Sequence, residues 1–294
     1  MAKDERWGKK HKDTRNWEVE NKKYEVRGEF LLDFEWTKNW DKDLELMNQN
    51  KRGAPFQFPE PFIELLAVWS QWLGYRELQG ITRKFQEYNL VPKEADYTTI
   101  NIRVNKINTS FELPKEGNIS MSSDGSGMKM TNRGEYKEKK YGDGKKKYLK
   151  VTISADPYHK KLLAIDVCVD GEGKSEPEVA MQHITELTEK GLNIDKFFGD
   201  GSFDVHELFD LLDKYMIDPS IKIRKNAKFS EDGKGSWKRN QEILKYRKEG
   251  YKRWAKEKQY GRRWTGTEGI FSAVKRIFGE NTRSRQKENQ LHEV

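Results

Sequence analysis

Between residues 118 and 223 the spacing of apolar residues changes from a period of two to a period near 3.6 and back, and few folds accommodate that succession. Ile119 and Met121 share one face of a short extended run. Residues 148–154 (Y-L-K-V-T-I-S) alternate, and residues 162–169 are almost continuously apolar, with Asp156-Pro157 as the break between them. These three runs are expected to be consecutive antiparallel strands. Residues 176–190 then place Val179, Ile184 and Leu187 at helical spacing and stop at Gly191. I-D-K-F-F-G-D is a short strand, residues 204–215 a second helix with Asp204 as its expected N-cap, and residues 217–223 the last strand. The succession predicts an α/β domain with a mixed sheet and crossover helices on its faces.

The flanking regions differ. Residues 1–55 are highly charged and scatter Trp7, Trp17, Trp36 and Trp40 without a clear period, which predicts a basic, weakly structured arm that orders on a partner. Residues 56–112 are helical. Phe62, Leu65, Leu66, Trp69 and Leu73 form one stripe ending at Gly74, and Leu78, Ile81, Thr82 and Phe85 form a second. A short third helix is capped by Asp96 and runs through Tyr97, Ile100 and Val104. It carries Thr98, Thr99, Asn101 and Arg103, so the trio reads either as a helix-turn-helix-like DNA-binding region, with Arg103 a contact, or as any small helical bundle.

Residues 224–259 form a basic helical insertion whose rings include Trp237, Tyr246, Tyr251 and Trp254, with Tyr260 and Trp264 just beyond it. Lys and Arg neutralise phosphates and rings stack on unpaired bases; the same rings can equally pack into a core. Residues 133–150 are a second basic stretch, read as a hairpin excursion that touches the DNA backbone. G-T-E-G-I-F-S-A-V-K-R-I-F-G is a helix with Ile270, Phe271, Val274, Ile277 and Phe278 on one side and Gly279 as its stop. Residues 281–294 are a tail ending soon after that helix, which keeps open a truncated, inactive remnant.

The 294 residues carry a formal charge of +8, which favours a polyanionic partner over merely solvated lysines only when joined to other features. A lone cysteine, Cys168, excludes an intramolecular disulfide and fits a reducing compartment. No apolar run is long enough to span a bilayer, so no membrane partner is expected and the location expected is the cytoplasm, in association with the nucleoid.

Two strands in this plan end on Asp-Gly-Ser. N-I-S-M-S-S-D-G-S-G ends on Asp124 and F-F-G-D-G-S on Asp200. Asp-Gly-Ser is ordinary turn chemistry. It is also how a sheet edge presents carboxylates, and two acids on neighbouring strands make a hard oxygen site for Mg²⁺ or Mn²⁺. Glu268 is the acid that a late helix would add, with Lys275 two turns on along nearly the same face; the alternative for this pair is a solvated helix flank. Asp143 and Asp166 are set aside as a turn and a strand residue. Ser126 lacks a G-x-S-x-G setting and a paired histidine, and the five histidines form no cluster, so nothing suggests a nucleophilic enzyme.

In order, D-G-S-G-M-K-M, G-D-G-S-F-D and Y-G-R-R-W-T-G-T-E-G-I-F-S-A-V-K-R resemble the DDE transposases of prokaryotic insertion sequences, in particular the insertion-sequence-five group of the insertion-sequence-four-like superfamily. The resemblance covers roughly residues 50–280. It implies a ribonuclease H-like core over residues 113–280, with Asp124, Asp200 and Glu268 as catalytic residues holding two Mg²⁺ (or Mn²⁺) ions. It implies DNA contacts from Lys275, Tyr260 and Arg263. The family places three residues between its Arg and Glu, whereas Arg263 and Glu268 are separated by four, so Arg262 competes for the role. The implied activity is cleavage at transposon terminal inverted repeats and strand transfer into target DNA by a homo-oligomer, at least dimeric on DNA. A catalytically inactive DNA-binding remnant and a metal-dependent nuclease without strand transfer are the alternatives.

Overall fold

The computed structural model describes residues 16–108, 111, 113–114, 117–130, 140, 148–230 and 235–294. The expected excursion at 133–150 and Asp143 fall mostly or wholly outside these residues, as does Trp7. The chain divides into two compact units, residues 1–107 and 108–294.

The first unit is helical: α1 (Trp17–Phe30), α2 (Trp36–Asn48), α3 (Glu60–Ser70), α4 (Tyr75–Glu87) and α5 (Tyr97–Val104). The last three stand where the apolar spacing predicts them. Asp96 caps α5 by accepting from the Thr98 and Thr99 amides at 3.0 and 3.1 Å, and these bonds hold its carboxyl well below the usual range. The expectation of a weakly structured arm over residues 1–55 does not hold for 17–48. Trp36 and Trp40, four apart on α2, face inward at 4% and 8% exposure and meet Phe62 at ring distances of 4.8 and 5.3 Å. One pair at helical spacing is enough to anchor a helix; the unrelated Trp7 and Trp17 obscure that period in the sequence. Arg103 is also committed inward. Its guanidinium donates to Glu60 Oε2 at 2.6 Å and to the Phe58 carbonyl at 3.1 Å, and lies over the Phe56 ring. Its place is therefore within the α3–α5 packing rather than on a free DNA-reading surface.

The second unit holds β1 (Asn118–Lys129), β2 (Tyr148–Asp156), β3 (Lys161–Val169), α6 (Glu176–Glu189), β4 (Asn193–Gly199), α7 (His206–Lys214), β5 (Asp218–Ile221), α8 (Trp237–Glu257), α9 (Arg263–Gly266), α10 (Glu268–Phe278) and α11 (Lys287–Glu293). The strands form one five-stranded sheet in the order β3-β2-β1-β4-β5. β1–β2 and β2–β3 are antiparallel, and β1–β4 and β4–β5 are parallel, which is the mixed sheet expected of a ribonuclease H-like domain. Ile119, Met121, Phe197, Phe209 and Leu212 belong to a core shared with α6 and α7. Met128, Leu149, Val151 and Ile153 belong to a second cluster, to which α10 brings Ile270 and Phe271 and α11 brings Leu291.

Three expectations are corrected here. β1 does not end at Asp124: Gly125, Ser126 and Gly127 pair with Thr152, Val151 and Lys150, so the tetrad is strand and not turn. Asp204 does not cap α7, whose N-cap is Val205. Asp204 is instead fully buried and bonded by Arg239 at 2.6 Å and by the Arg224 amide at 2.9 Å, tying the start of α8 to the loop after β4. Residues 281–294, expected as a tail beyond the domain, are bonded to the end of β1. Asn281 bridges to Lys129, the Thr282 amide donates to the Lys129 carbonyl at 2.9 Å, and the buried Gln290 amide donates to the Met130 carbonyl.

Removing one partner of a buried ion pair leaves the other charge stranded. Asp204→Ala should therefore lower unfolding free energy by about 3–5 kcal/mol in urea titrations, and adding Arg239→Met should recover much of that loss.

Candidate active site

The parallel register of β1 and β4 runs through Ser122 opposite Phe198 and then stops. Two residues further along are Asp124, still within β1, and Asp200, the residue just past β4, so the register extended by two would set them side by side. A parallel sheet leaves its polar groups at such an edge without a neighbour, which is why ligands collect there. Asp200 is held by its own turn: its Oδ1 accepts from the Ser202 amide at 2.7 Å and the Ser202 hydroxyl at 2.5 Å. The Gly125 amide donates to Asp124 Oδ1 at 3.0 Å.

The third acid comes from the far end of the unit. Gly266 lies against the sheet so closely that a Cβ there would be 3.1 Å from Ser122 Cβ and 3.2 Å from Pro157 Cα. That approach delivers Thr267 and Glu268 to β1. Thr267 Oγ1 lies 3.5 Å from Asp124 Oδ2. Arg263 reaches between the acids, with Nη1 at 3.9 Å from Asp124 Oδ2 and Nη2 at 3.5 Å from Glu268 Oε1. The arginine is 8% exposed, and its Nε has no hydrogen-bond partner. Its guanidinium also lies over the rings of Tyr260 and Trp264.

The structure thus brings Asp124, Glu268, Arg263 and Tyr260 together, with Asp200 beside Asp124 along the strand ends. Arg262 goes elsewhere, over the Tyr158 ring on the β2–β3 turn. Thr267, with φ of −98° and ψ of −55°, keeps the chain right-handed between α9 and α10. Lys275 stands two turns along α10, 3.9 Å from Glu280. One acid that the sequence does not single out also arrives: Glu176, at the start of α6. In the sequence it reads as an ordinary first-turn acid beside a capping box formed by Ser175 and Glu178.

Burial dominates the electrostatics of the cluster. Burial pushes the Asp124 carboxyl up to about 6, with Asp200 and Glu176 adding to the rise and the Gly125 amide and Arg263 opposing it. Burial likewise raises Glu268, with Asp200 contributing. Burial pushes the Tyr260 phenol up to about 12, so it stays neutral and able to donate. Among the described residues no three acids converge into a finished ligand set, and Arg263 stands between two of them. The donors are nonetheless all carboxylates, the chemistry that Mg²⁺ and Mn²⁺ require.

The family described as "Transposase DDE domain" matches residues 121–293. The chain belongs to that family. Its second unit is accordingly a transposase domain of ribonuclease H-like fold, an enzyme domain of a family that uses divalent metal ions. A solved simian T-cell lymphotropic virus intasome, in complex with PP2A regulatory subunit B56 gamma, is similar at 11% identity over 71% of this chain and 73% of that chain, with a TM-score of 0.23. A likeness that low carries no argument about fold or function. Among the described residues no helix of the transposase is long and apolar enough to cross a membrane.

The raised Asp124 carboxyl binds its proton more tightly in the folded chain than in the unfolded one. Its contribution therefore favours the fold below the ordinary carboxylate range and is lost as pH rises through about 6. In cation-free protein Asp124→Asn should raise the thermal midpoint above that pH, and the gain should fade as pH falls towards about 4. Calorimetry across that range reads both limbs.

Proposed function

We propose that this transposase cleaves DNA at the ends of a mobile element and joins them to target DNA, using Asp124, Asp200 and Glu268 as the cation-holding acids. The observation that carries this reading is the placement of two aspartates by the β1–β4 register, with Glu268 brought to Asp124 across Arg263. Two Mg²⁺ or Mn²⁺ ions, when bound there, supply activation of the attacking hydroxyl and stabilisation of the departing oxygen.

The chain's own groups provide the rest. Arg263 neutralises Asp124 and Glu268 without DNA, and its unpartnered Nε and fork-shaped guanidinium suit it to a scissile phosphate. Tyr260, neutral and against Arg263, fixes that arginine's plane. Lys275, on the same helix as Glu268, is placed to take a neighbouring phosphate. On and beside α8 the rings divide their roles. Trp254 and Tyr260 are buried and hold the insertion to the domain, whereas Trp237 and Trp264, at 66% and 54% exposure, are free to meet bases. The spacings of Tyr260 to Arg263 and of Glu268 to Lys275 support membership of the insertion-sequence-five group, whereas the four residues between Arg263 and Glu268 depart from its pattern. The partners that follow are terminal inverted repeats, target DNA and at least a second copy of the chain on DNA.

The test is cleavage and joining of a duplex carrying the element's end, with Mg²⁺ or Mn²⁺. Asp124→Ala, Asp200→Ala and Glu268→Ala should each cut at least about 10²–10³-fold more slowly while still binding the duplex. Arg263→Ala should lose rate, with Arg262→Ala much closer to wild type. Variants that cut as well as wild type would refute the assignment. Cutting without joining would make the enzyme a nuclease, and binding without cutting a remnant.

A further inference from the structure

Glu176 is the first residue of α6, and three contacts place its carboxylate at the two aspartates. A Cβ on Gly125, the residue after Asp124, would lie 2.5 Å from Glu176 Oε1 and 2.7 Å from its Cδ. The carboxylate thus fills the space that any other side chain at position 125 would need. Lys150, on the neighbouring strand β2, has its Nζ 3.6 Å from Glu176 Oε1. The other oxygen, Oε2, is 3.4 Å from the Ser202 hydroxyl, which lies 2.5 Å from Asp200 Oδ1.

A serine hydroxyl has one proton, so it donates to one of these acids at a time. Pointed at Asp200, it joins the Ser202 amide on Oδ1, and that oxygen is taken up by two donors. Turned to Glu176, it gives a lone pair of Oδ1 back. We infer that Glu176 is a positioning residue for Asp200: it is the second acceptor for the Ser202 hydroxyl, and so frees Asp200 to take a divalent cation. Lys150 holds Glu176 in that position, and the missing side chain of Gly125 gives it room. The inference rests on the reading of Asp200 as a cation-holding acid.

The test is Mn²⁺ titration of the full chain without DNA, followed by electron paramagnetic resonance, with circular dichroism to verify that each variant is folded. Asp200→Asn reports on the site itself and should weaken Mn²⁺ binding. Glu176→Ala should weaken it about 10- to 100-fold, the usual effect of removing a group that orients a ligand. Glu176→Gln keeps an acceptor oxygen and should retain most of the affinity. In a Ser202→Ala background, where no hydroxyl competes for Asp200, Glu176→Ala should have little further effect.

Loss of affinity from Glu176→Ala that is equally large without the Ser202 hydroxyl, or equally large in Glu176→Gln, would overturn the inference in favour of a bulk charge effect. Unchanged binding in Glu176→Ala beside weakened binding in Asp200→Asn would overturn it alone. Unchanged binding in Asp200→Asn would overturn the reading of the site, and this inference with it.

Discussion

Carboxylates gathered at one edge of a half-buried sheet repel each other and resist losing water, and the second unit is arranged around that conflict. Arg263 is the chain's own answer to it. Its guanidinium lies within 3.9 Å of Asp124 and 3.5 Å of Glu268 and links the strand that carries one acid to the helix that carries the other. The close seat of Gly266 on Ser122 and Pro157 brings that helix near enough. The aromatic packing of Tyr260 on Trp254 sets the chain's direction just before it. Charge compensation and docking are thus one event, and Asp124 still holds its proton unusually tightly.

Much of this was legible in the sequence because its signals are local. Alternation in 148–154, the apolar run in 162–169 and the helical spacing of Val179, Ile184 and Leu187 each belong to one element, and each element formed where its period predicts. Asp124, Asp200 and Glu268 each sit in a short stretch that carries the resemblance, and the structure brings Glu268 towards Asp124 across Arg263. Membership of the transposase DDE domain family agrees with that resemblance.

What was not legible depends on partners distant in the chain. Asp-Gly-Ser-Gly is turn chemistry by composition, yet β2 supplies a pairing partner for every residue of it, and pairing prevails over propensity. Asp204 has the composition of a helix cap, but Arg239, 35 positions away, draws it into a buried ion pair. Arg262 and Arg263 are indistinguishable by type; only the packing of Tyr158 and Tyr260 separates them. Glu176 looks like any first-turn acid until the sheet sets Gly125 against it.

The seam between Lys129 and Asn281 has a bearing on synthesis. Thr282 bonds to a carbonyl 153 positions earlier, and this late segment supports the same cluster on which α10 rests. A chain emerging from the ribosome can pair its first four strands long before Glu268 and its supporting seam exist. Throughout that interval Asp124 stands without Arg263 and Glu268. A half-made chain therefore carries the strand platform without the helix and the seam that complete the unit.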